Sequence, residues 1–392
     1  MAKTTGVPPT ARKLAIVTHE YYPLLCGGTI FSERLAVEFA KIGYEVEIIC
    51  CGVGPRFARY ERCDGFGARR FWTRRYSQKT ASFLEHIFFL VLGLPQFLFY
   101  LWRGRFTHVL SIFVAPSGLI GLIIAKCLGI HSFVFIDGAD TPGIESEQKR
   151  LMDHLVFLFK LVTRHSDGVI VLQGVEDLAL PLIANPNRVV IPNGTSLPKQ
   201  LATPGSKWGR VRFLSIGRLV ARKGFADIVQ ACHMLNQICG DFELEIIGYG
   251  QKEYELRQMI LKYGLEKQVF LRGSIPYEKL TDYYLKADAY IFYGGREGSS
   301  LAMIEALSYG LPIVCTDEPG SRAFVSQERN GLLVPWNDAG RLKDALLWIL
   351  EHRGSLGELG RASRQIAETF TWAEIVRMYD NFFSATVKSR LN

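Results

Sequence analysis

The chain has 392 residues, 48% of them hydrophobic and 21% charged, with a formal net charge of +8. That length suits two domains of roughly 200 residues, and the apolar share excludes wholesale disorder. A basic balance fits nucleic acid, an anionic membrane or a phosphorylated ligand, so the place of the charge decides more than its total.

The first predicted strand is Leu14–Thr18, shorter than the ~7–15-residue apolar run of a secretory signal, so none is expected. Phe31, Leu35, Phe39 and Ile42 then recur at helical spacing, and Gly43 stops the pattern. Gly27 and Gly28 stand at the start of that helix. Outward N–H groups and missing side chains there would let an anion approach the backbone. An ordinary tight turn is the alternative, and the G-x-G-x-x-G spacing of a dinucleotide site is absent. His19, at the end of the first strand, is a site candidate or a packing residue. Glu45–Cys50 is the second predicted strand.

The charge sits next. Between Arg56 and Arg105 ten cations stand against three acids, a local excess of seven. Arg69, Arg70, Arg74, Arg75, Lys79, Arg103 and Arg105 flank the apolar stretch Ile87–Trp102. A 16-residue helix is about 24 Å long, short of the ~30 Å hydrocarbon core, and Pro95 and Gln96 interrupt it. The stretch therefore reads as shallow membrane contact or a buried core helix rather than a span. Cations beside it suit an anionic membrane surface. Nucleic acid is set aside, because no binding module accompanies the patch.

Strands are then predicted at Val109–Phe113, His131–Ile136, Val169–Leu172 and Val189–Ile191. A linker rich in Pro and Gly is expected over 196–209. Beyond it come Val211–Ile216, Phe242–Ile247, Val269–Leu271, Ala289–Tyr293, Pro312–Cys315 and Gly331–Val334. Strands alternating with helices argue for two parallel, doubly wound α/β sheets in tandem. Ligands of such sheets bind at the carboxyl ends of the strands, here expected in a cleft between the domains. The eight cysteines form no C-x-x-C pair and read as reduced thiols of a cytoplasmic protein, with no metal cluster.

Two motifs carry chemistry. Gly217-Arg218-Leu219 and Lys223-Gly224 follow the first strand of the second half; two cations beside a glycine turn suit a diphosphate. Glu297-Gly298-Ser299-Ser300-Leu301 leads into a helix with Glu305 in its second turn. The N–H groups of Gly298, Ser299, Ser300 and Leu301 would face an anion, and Glu305 could accept two vicinal hydroxyls. Solvated glutamates and a capped helix are the alternative.

Taken in order, these motifs resemble the retaining glycosyltransferases of the GT-B fold, most closely family 4. Ile191-Pro192-Asn193-Gly194, Ile247-Gly248-Tyr249-Gly250 and Gly331-Leu332-Leu333-Val334-Pro335 complete the likeness over nearly the whole chain. The resemblance implies an acceptor-side domain over 1–195, a nucleotide-sugar domain over 210–370, and a final helix over 371–392 that crosses back to the first. It implies that Arg218, Lys223 and Gly217 hold the donor diphosphate, with Gly27 and Gly28 near the distal phosphate. The base would lie on backbone at Gly273, Ser274 and Ile275, the ribose on Glu305, and the transferred sugar near Glu297. No cofactor or metal is demanded, since the cations supply the charge and no Asp-x-Asp triplet is present. Many members carry a His-Gly-x-Asp-like segment where this chain has Asp137-Gly138-Ala139-Asp140. Asp137 would contact an acceptor or sugar hydroxyl, or only shape a turn.

The expected function is sugar transfer from a UDP or GDP type donor to a membrane-associated or envelope-glycan acceptor at the cytoplasmic membrane face. The alternatives are a small soluble acceptor, an inactive binding protein, and a nucleotide-sugar epimerase of the same build. Arg218, Lys223, Glu297 and Glu305 together argue against the inactive protein, and the glutamate pair in its helix context favours transfer over epimerisation.

Overall fold

The computed structural model describes residues 12–22, 27–54, 59–75, 82–142, 156–205, 209–295 and 297–391. Two units divide the chain. One takes Met1–Leu172, Glu176–Ile191 and Ile375–Asn392; the other takes Gln173–Val175 and Pro192–Glu374.

The first unit is built on an eight-stranded sheet. Its strands are β1 (Lys13–Val17), β2 (Glu45–Val53), β3 (Tyr60–Arg62), β4 (Gly67–Arg75), β5 (His108–Ile112), β6 (His131–Ile136), β7 (Gly168–Leu172) and β8 (Arg188–Ile191). They lie in the order β3-β4-β2-β1-β5-β6-β7-β8. All pairs are parallel except β3 with β4. The apolar runs at Leu14–Val17 and Val169–Leu172 are buried throughout, as a parallel sheet covered on both faces requires.

Sequence reading missed β3 and β4. Four arginines in the nine residues of β4 disguised the strand, yet Arg70, Thr73 and Arg75 are buried. Helix Phe83–Gly104 then packs on β4. It is one element of 22 residues, about 33 Å long, so the length argument against a span does not hold. By length and composition it could cross a membrane. Phe89, Gly93, Phe97 and Leu101, however, make one buried stripe at four-residue spacing, and Phe89, Phe97 and Leu101 join Val109 and Ile120 in the core. A capping box of Ser82 and Glu85 starts the helix, and Pro95 lies inside it.

The last helix, Trp372–Leu391, contributes to the first unit from Ile375 onward. Phe383 stacks on Phe133 at 4.0 Å and on Phe39 at 5.7 Å between ring centres.

The second unit carries six parallel strands, β9 (Val211–Ile216), β10 (Phe242–Ile247), β11 (Val269–Gly273), β12 (Ala289–Phe292), β13 (Ile313–Thr316) and β14 (Gly331–Val334). Their order is β11-β10-β9-β12-β13-β14. Hydrophobic clusters cover both faces of the sheet. The chain leaves β9 in one direction and returns for β12 on its other side, so the two strands flank a topological switch point. The described part of the segment expected as a linker, residues 196–205, is tied into this unit. The Ala202 N–H donates to the Tyr309 carbonyl at 2.9 Å, and the Gly205 N–H donates to Asp288 at 2.9 Å.

Candidate functional site

The end of β9 turns through Gly217, Arg218 and Leu219 into a single 3-10 turn, Ala221–Lys223. Gly224 closes it at φ +60 before helix Phe225–Asn236. A Cβ there would lie 2.4 Å from the Tyr293 carbonyl oxygen and 2.7 Å from Trp336, so only glycine lets the turn sit against the end of β12.

On the neighbouring strand, β12 leads into the Glu297 loop. Glu297 is 8% exposed, and both its oxygens are held by cations of the β9 turn. Arg222 Nη1 bonds Oε1, and Lys223 Nζ bonds Oε2 at 2.5 Å. Arg218 is exposed beside them. Three cations around one carboxylate leave the cluster net positive. Burial alone would raise the carboxyl pKa, but Lys223 and Arg222 outweigh it and hold Glu297 below its ordinary range. Burial, against the pull of Glu297, lowers Lys223 from its usual value. Glu297 is therefore a fixed carboxylate, and the surplus positive charge of the cluster has the sign to attract an anion. Arg222 went unread in the sequence; its only signal was adjacency to Lys223.

Backbone packing fixes the Glu297 loop. A Cβ on Gly320 would lie 2.4 Å from the Glu297 carbonyl oxygen, and one on Gly174 would lie 3.0 Å from the Gly298 Cα. The Ser299 N–H donates to the Gln173 carbonyl at 2.8 Å, and Ser299 Oγ accepts the Asn193 N–H at 3.1 Å. Ser299 is thus a structural clasp, which corrects its expected place as an anion donor. Helix Leu301–Ser308 starts after Ser300 with no side-chain cap. Among the described residues, the N–H groups of Gly298, Ser300 and Leu301 have no backbone acceptor.

Glu305 is half-buried in the second turn of that helix. Tyr277 Oη donates to its Oε1 at 2.6 Å and Tyr284 Oη to its Oε2 at 3.1 Å. Neither tyrosine was read from the sequence, because 28 and 21 residues separate them from Glu305. At the end of β11, Gly273 takes φ +72 and its carbonyl accepts the Gly248 N–H at 2.9 Å. Ser274 follows exposed, and Ile275 packs on the core.

In the first unit, helix Gly27–Lys41 begins at Gly27, so both glycines lie inside its first turn. The face of Gly28 is filled: a Cβ would meet Phe113 at 3.0 Å and the Glu20 carboxylate at 3.1 Å. Asp137 accepts the Gly138 N–H at 2.6 Å and caps a 3-10 turn, Gly138–Asp140. Asp140 is buried and accepts the Val114 N–H at 3.0 Å; burial, then Asp137, pushes its pKa well up. His19 is buried, with Nδ1 3.0 Å from Ser117 Oγ. Burial, then His86 and Arg75, pushes it well below the usual range, so it is neutral.

The cation window resolves in three ways. Arg70 and Arg75 are 5% and 3% exposed and do not reach a membrane, a correction that follows from their burial within the first unit. Arg70 bonds Glu61 at 2.9 Å and the Tyr22 carbonyl at 3.1 Å, and Arg75 bonds the His19 carbonyl. Arg69 is half-buried between the rings of Tyr60 and Tyr100, at 4.6 and 4.3 Å. Arg74, Arg103 and Arg105 are exposed, and Lys79 lies outside the described residues. The helix beside them turns Leu84, Val91, Phe99 and Trp102 outward, and Trp72 of β4 is exposed as well.

Two family models match the chain. "Glycosyl transferase 4-like domain" spans residues 27–194 and "Glycosyl transferases group 1" spans 199–366. The amylovoran biosynthesis glycosyltransferase AmsK of Erwinia amylovora is 33% identical over 165 residues, 41% of this chain and 40% of that protein. The putative colanic acid biosynthesis glycosyltransferase WcaL of Escherichia coli is 24% identical over 60% of each chain. The match thus spans about half the length of these curated relatives. Sucrose-phosphate synthase from Thermosynechococcus elongatus superposes with a TM-score of 0.82 at 20% identity, covering 95% of this chain and all of that one.

Proposed function

We propose that this chain, a GT-B glycosyltransferase by fold and by both family models, moves a sugar with retention from a nucleoside diphosphate sugar to a glycan or lipid-linked acceptor. The observation that carries the reading is the net-positive cluster of Arg218, Arg222, Lys223 and Glu297 at the switch point of the second unit. A diphosphate placed there meets two N–H faces of guanidinium, one ammonium and the start of helix Leu301–Ser308. The bond from the sugar C1 to the diphosphate oxygen breaks, and a bond from C1 to the acceptor oxygen forms. The acceptor proton leaves with the diphosphate. Charge growing on the departing oxygens is stabilised by Arg218 and Lys223 without a metal. Glu297, held ionised, orients Lys223 and faces the sugar side. Glu305 takes the ribose, with the base of a UDP or GDP type nucleotide on Gly273–Ile275 and Gly217 at the turn. Gly27 and Gly28 belong to the distal phosphate of the donor, and Asp137 to an acceptor or sugar hydroxyl.

An envelope polysaccharide is the acceptor class favoured by the names of AmsK and WcaL. An anionic membrane at the cytoplasmic face is the surface on which the chain works. The outward Val91, Phe99 and Trp102, rimmed by Arg74, Arg103 and Arg105, support that placement.

A panel of UDP and GDP sugars, read by slow sugar release and by the anomeric signals of the product, tests the reaction. One donor should be cleaved with its anomeric configuration kept in transfer. Inversion would overturn the retaining step, and no binding of any nucleoside diphosphate would overturn the whole reading.

A further inference from the structure

Glu305 carries more hydrogen-bond support than ligand binding alone requires. A carboxylate has about four acceptor positions, two on each oxygen, and its terminal torsion is broad and roughly two-fold. Left alone, it turns. Here Tyr277 occupies one position on Oε1 at 2.6 Å and Tyr284 one on Oε2 at 3.1 Å. Two donors on opposite oxygens fix the plane of the group.

The two tyrosines differ. Tyr284 is fully buried, and its ring stacks on Tyr309 at 4.8 Å with an 11° interplanar angle. It belongs to the core that holds helix Leu280–Lys286. Tyr277 is half-buried and opens the 3-10 turn Tyr277–Lys279, two residues after the Gly273–Ile275 backbone. It thus joins the strand end assigned to the base to the carboxylate assigned to the ribose. Core packing does not account for a hydroxyl aimed at Glu305 from that turn, since phenylalanine would pack as well.

We propose that Tyr277 is a positioning residue for nucleotide choice. By fixing the Glu305 plane it presents both oxygens at once to the 2′- and 3′-hydroxyls, so that ribonucleotides are bound in preference to 2′-deoxyribonucleotides. The proposal rests on the reading of Glu305 as the ribose acceptor.

Calorimetry on the full chain tests it with four probes, UDP, 2′-deoxy-UDP, GDP and 2′-deoxy-GDP. The native protein should prefer the ribose form of its nucleotide by at least about tenfold, the scale of one well-placed hydrogen bond. Glu305→Gln should bring that ratio close to one. Tyr277→Phe should bring it most of the way down, with an unchanged melting temperature. Tyr284→Phe, a second variant of the same geometry, should lower the ratio and the melting temperature together. A Tyr277→Phe protein that keeps the native ratio while Glu305→Gln loses it overturns the role of Tyr277. So does an equal loss of affinity for ribo and deoxy forms, which marks a structural part only. If Glu305→Gln also keeps the native ratio, the assignment of Glu305 to the ribose falls, and the proposal with it.

Discussion

The chain has two places crowded with cations, and they are used in opposite ways. At Arg218–Lys223 three cations gather on one turn around a single buried carboxylate, and positive charge is left over. In β4 Arg70 and Arg75 are spent inside the first unit, on Glu61 and on the carbonyls of Tyr22 and His19. The denser run in sequence thus leaves less charge for a ligand than the sparser one. What separates them is burial: β4 lies between β3 and β2 inside the sheet, so its buried arginines must find acceptors within the fold. The β9 turn lies beyond its strand and converges on one point.

The sharpest way to break this contrast is to remove one cation from each place. Lys223→Ala should cut donor turnover about 10²–10³-fold and weaken nucleoside diphosphate binding in calorimetry. Activity within tenfold of native would remove the β9 turn from the reaction. Arg75→Met should do the reverse. It leaves the His19 carbonyl without its charged donor, so stability in urea should fall by roughly 2–3 kcal/mol, while donor affinity stays within about twofold. A variant as stable as native would show that Arg75 is dispensable to the core.

Membrane flotation sharpens the same contrast. Phe99→Ser with Trp102→Ser should lower partitioning onto anionic vesicles about tenfold, and Arg74→Gln by less, near the ~1 kcal/mol of one surface cation. Arg70→Gln, in a protein checked to be folded, should leave it unchanged; equal losses from Arg70 and Arg74 would undo the assignment of inward and outward arginines. The smallest effect is on pH. Burial lowers His19 and His86, and His108 is pushed down to about 4. The unfolded chain then binds more protons than the folded one below about pH 6.5. Each such histidine therefore gives stability that is full above that pH and lost as pH falls, at up to about 1.4 kcal/mol per pH unit. Asp140, raised by burial, works in the other direction. Asp227, also raised by burial, works with Asp140; three histidines against two carboxyls predict a melting temperature that drops from pH 6.5 toward 5, and His19→Gln should flatten the drop. A constant melting temperature over that range would contradict it.

Much of this was legible in the sequence, and the exceptions share a cause. The apolar runs Val211–Ile216 and Ala289–Tyr293 announce strands, and the glycines and cations after them announce a site, because strand, turn and helix start are local. β4 was hidden because arginine is read as solvated, yet an arginine can be buried when a carbonyl and a carboxylate meet it. Arg222 and Tyr277 were hidden because their partners are 75 and 28 residues away. Pairings of that range follow from which strands lie side by side.

The closing helix has a consequence for the order of events in synthesis. Phe383 stacks on Phe39 and Phe133, so the core of the first unit stays open until residue 383 has been made. The second unit ends at Glu374. At roughly 5–20 residues per second, the first unit waits on the order of 10–40 s after its own last strand is translated. The half that begins first in the chain is therefore the half that finishes last on the ribosome, and during that interval its aromatic core is the surface a chaperone would meet.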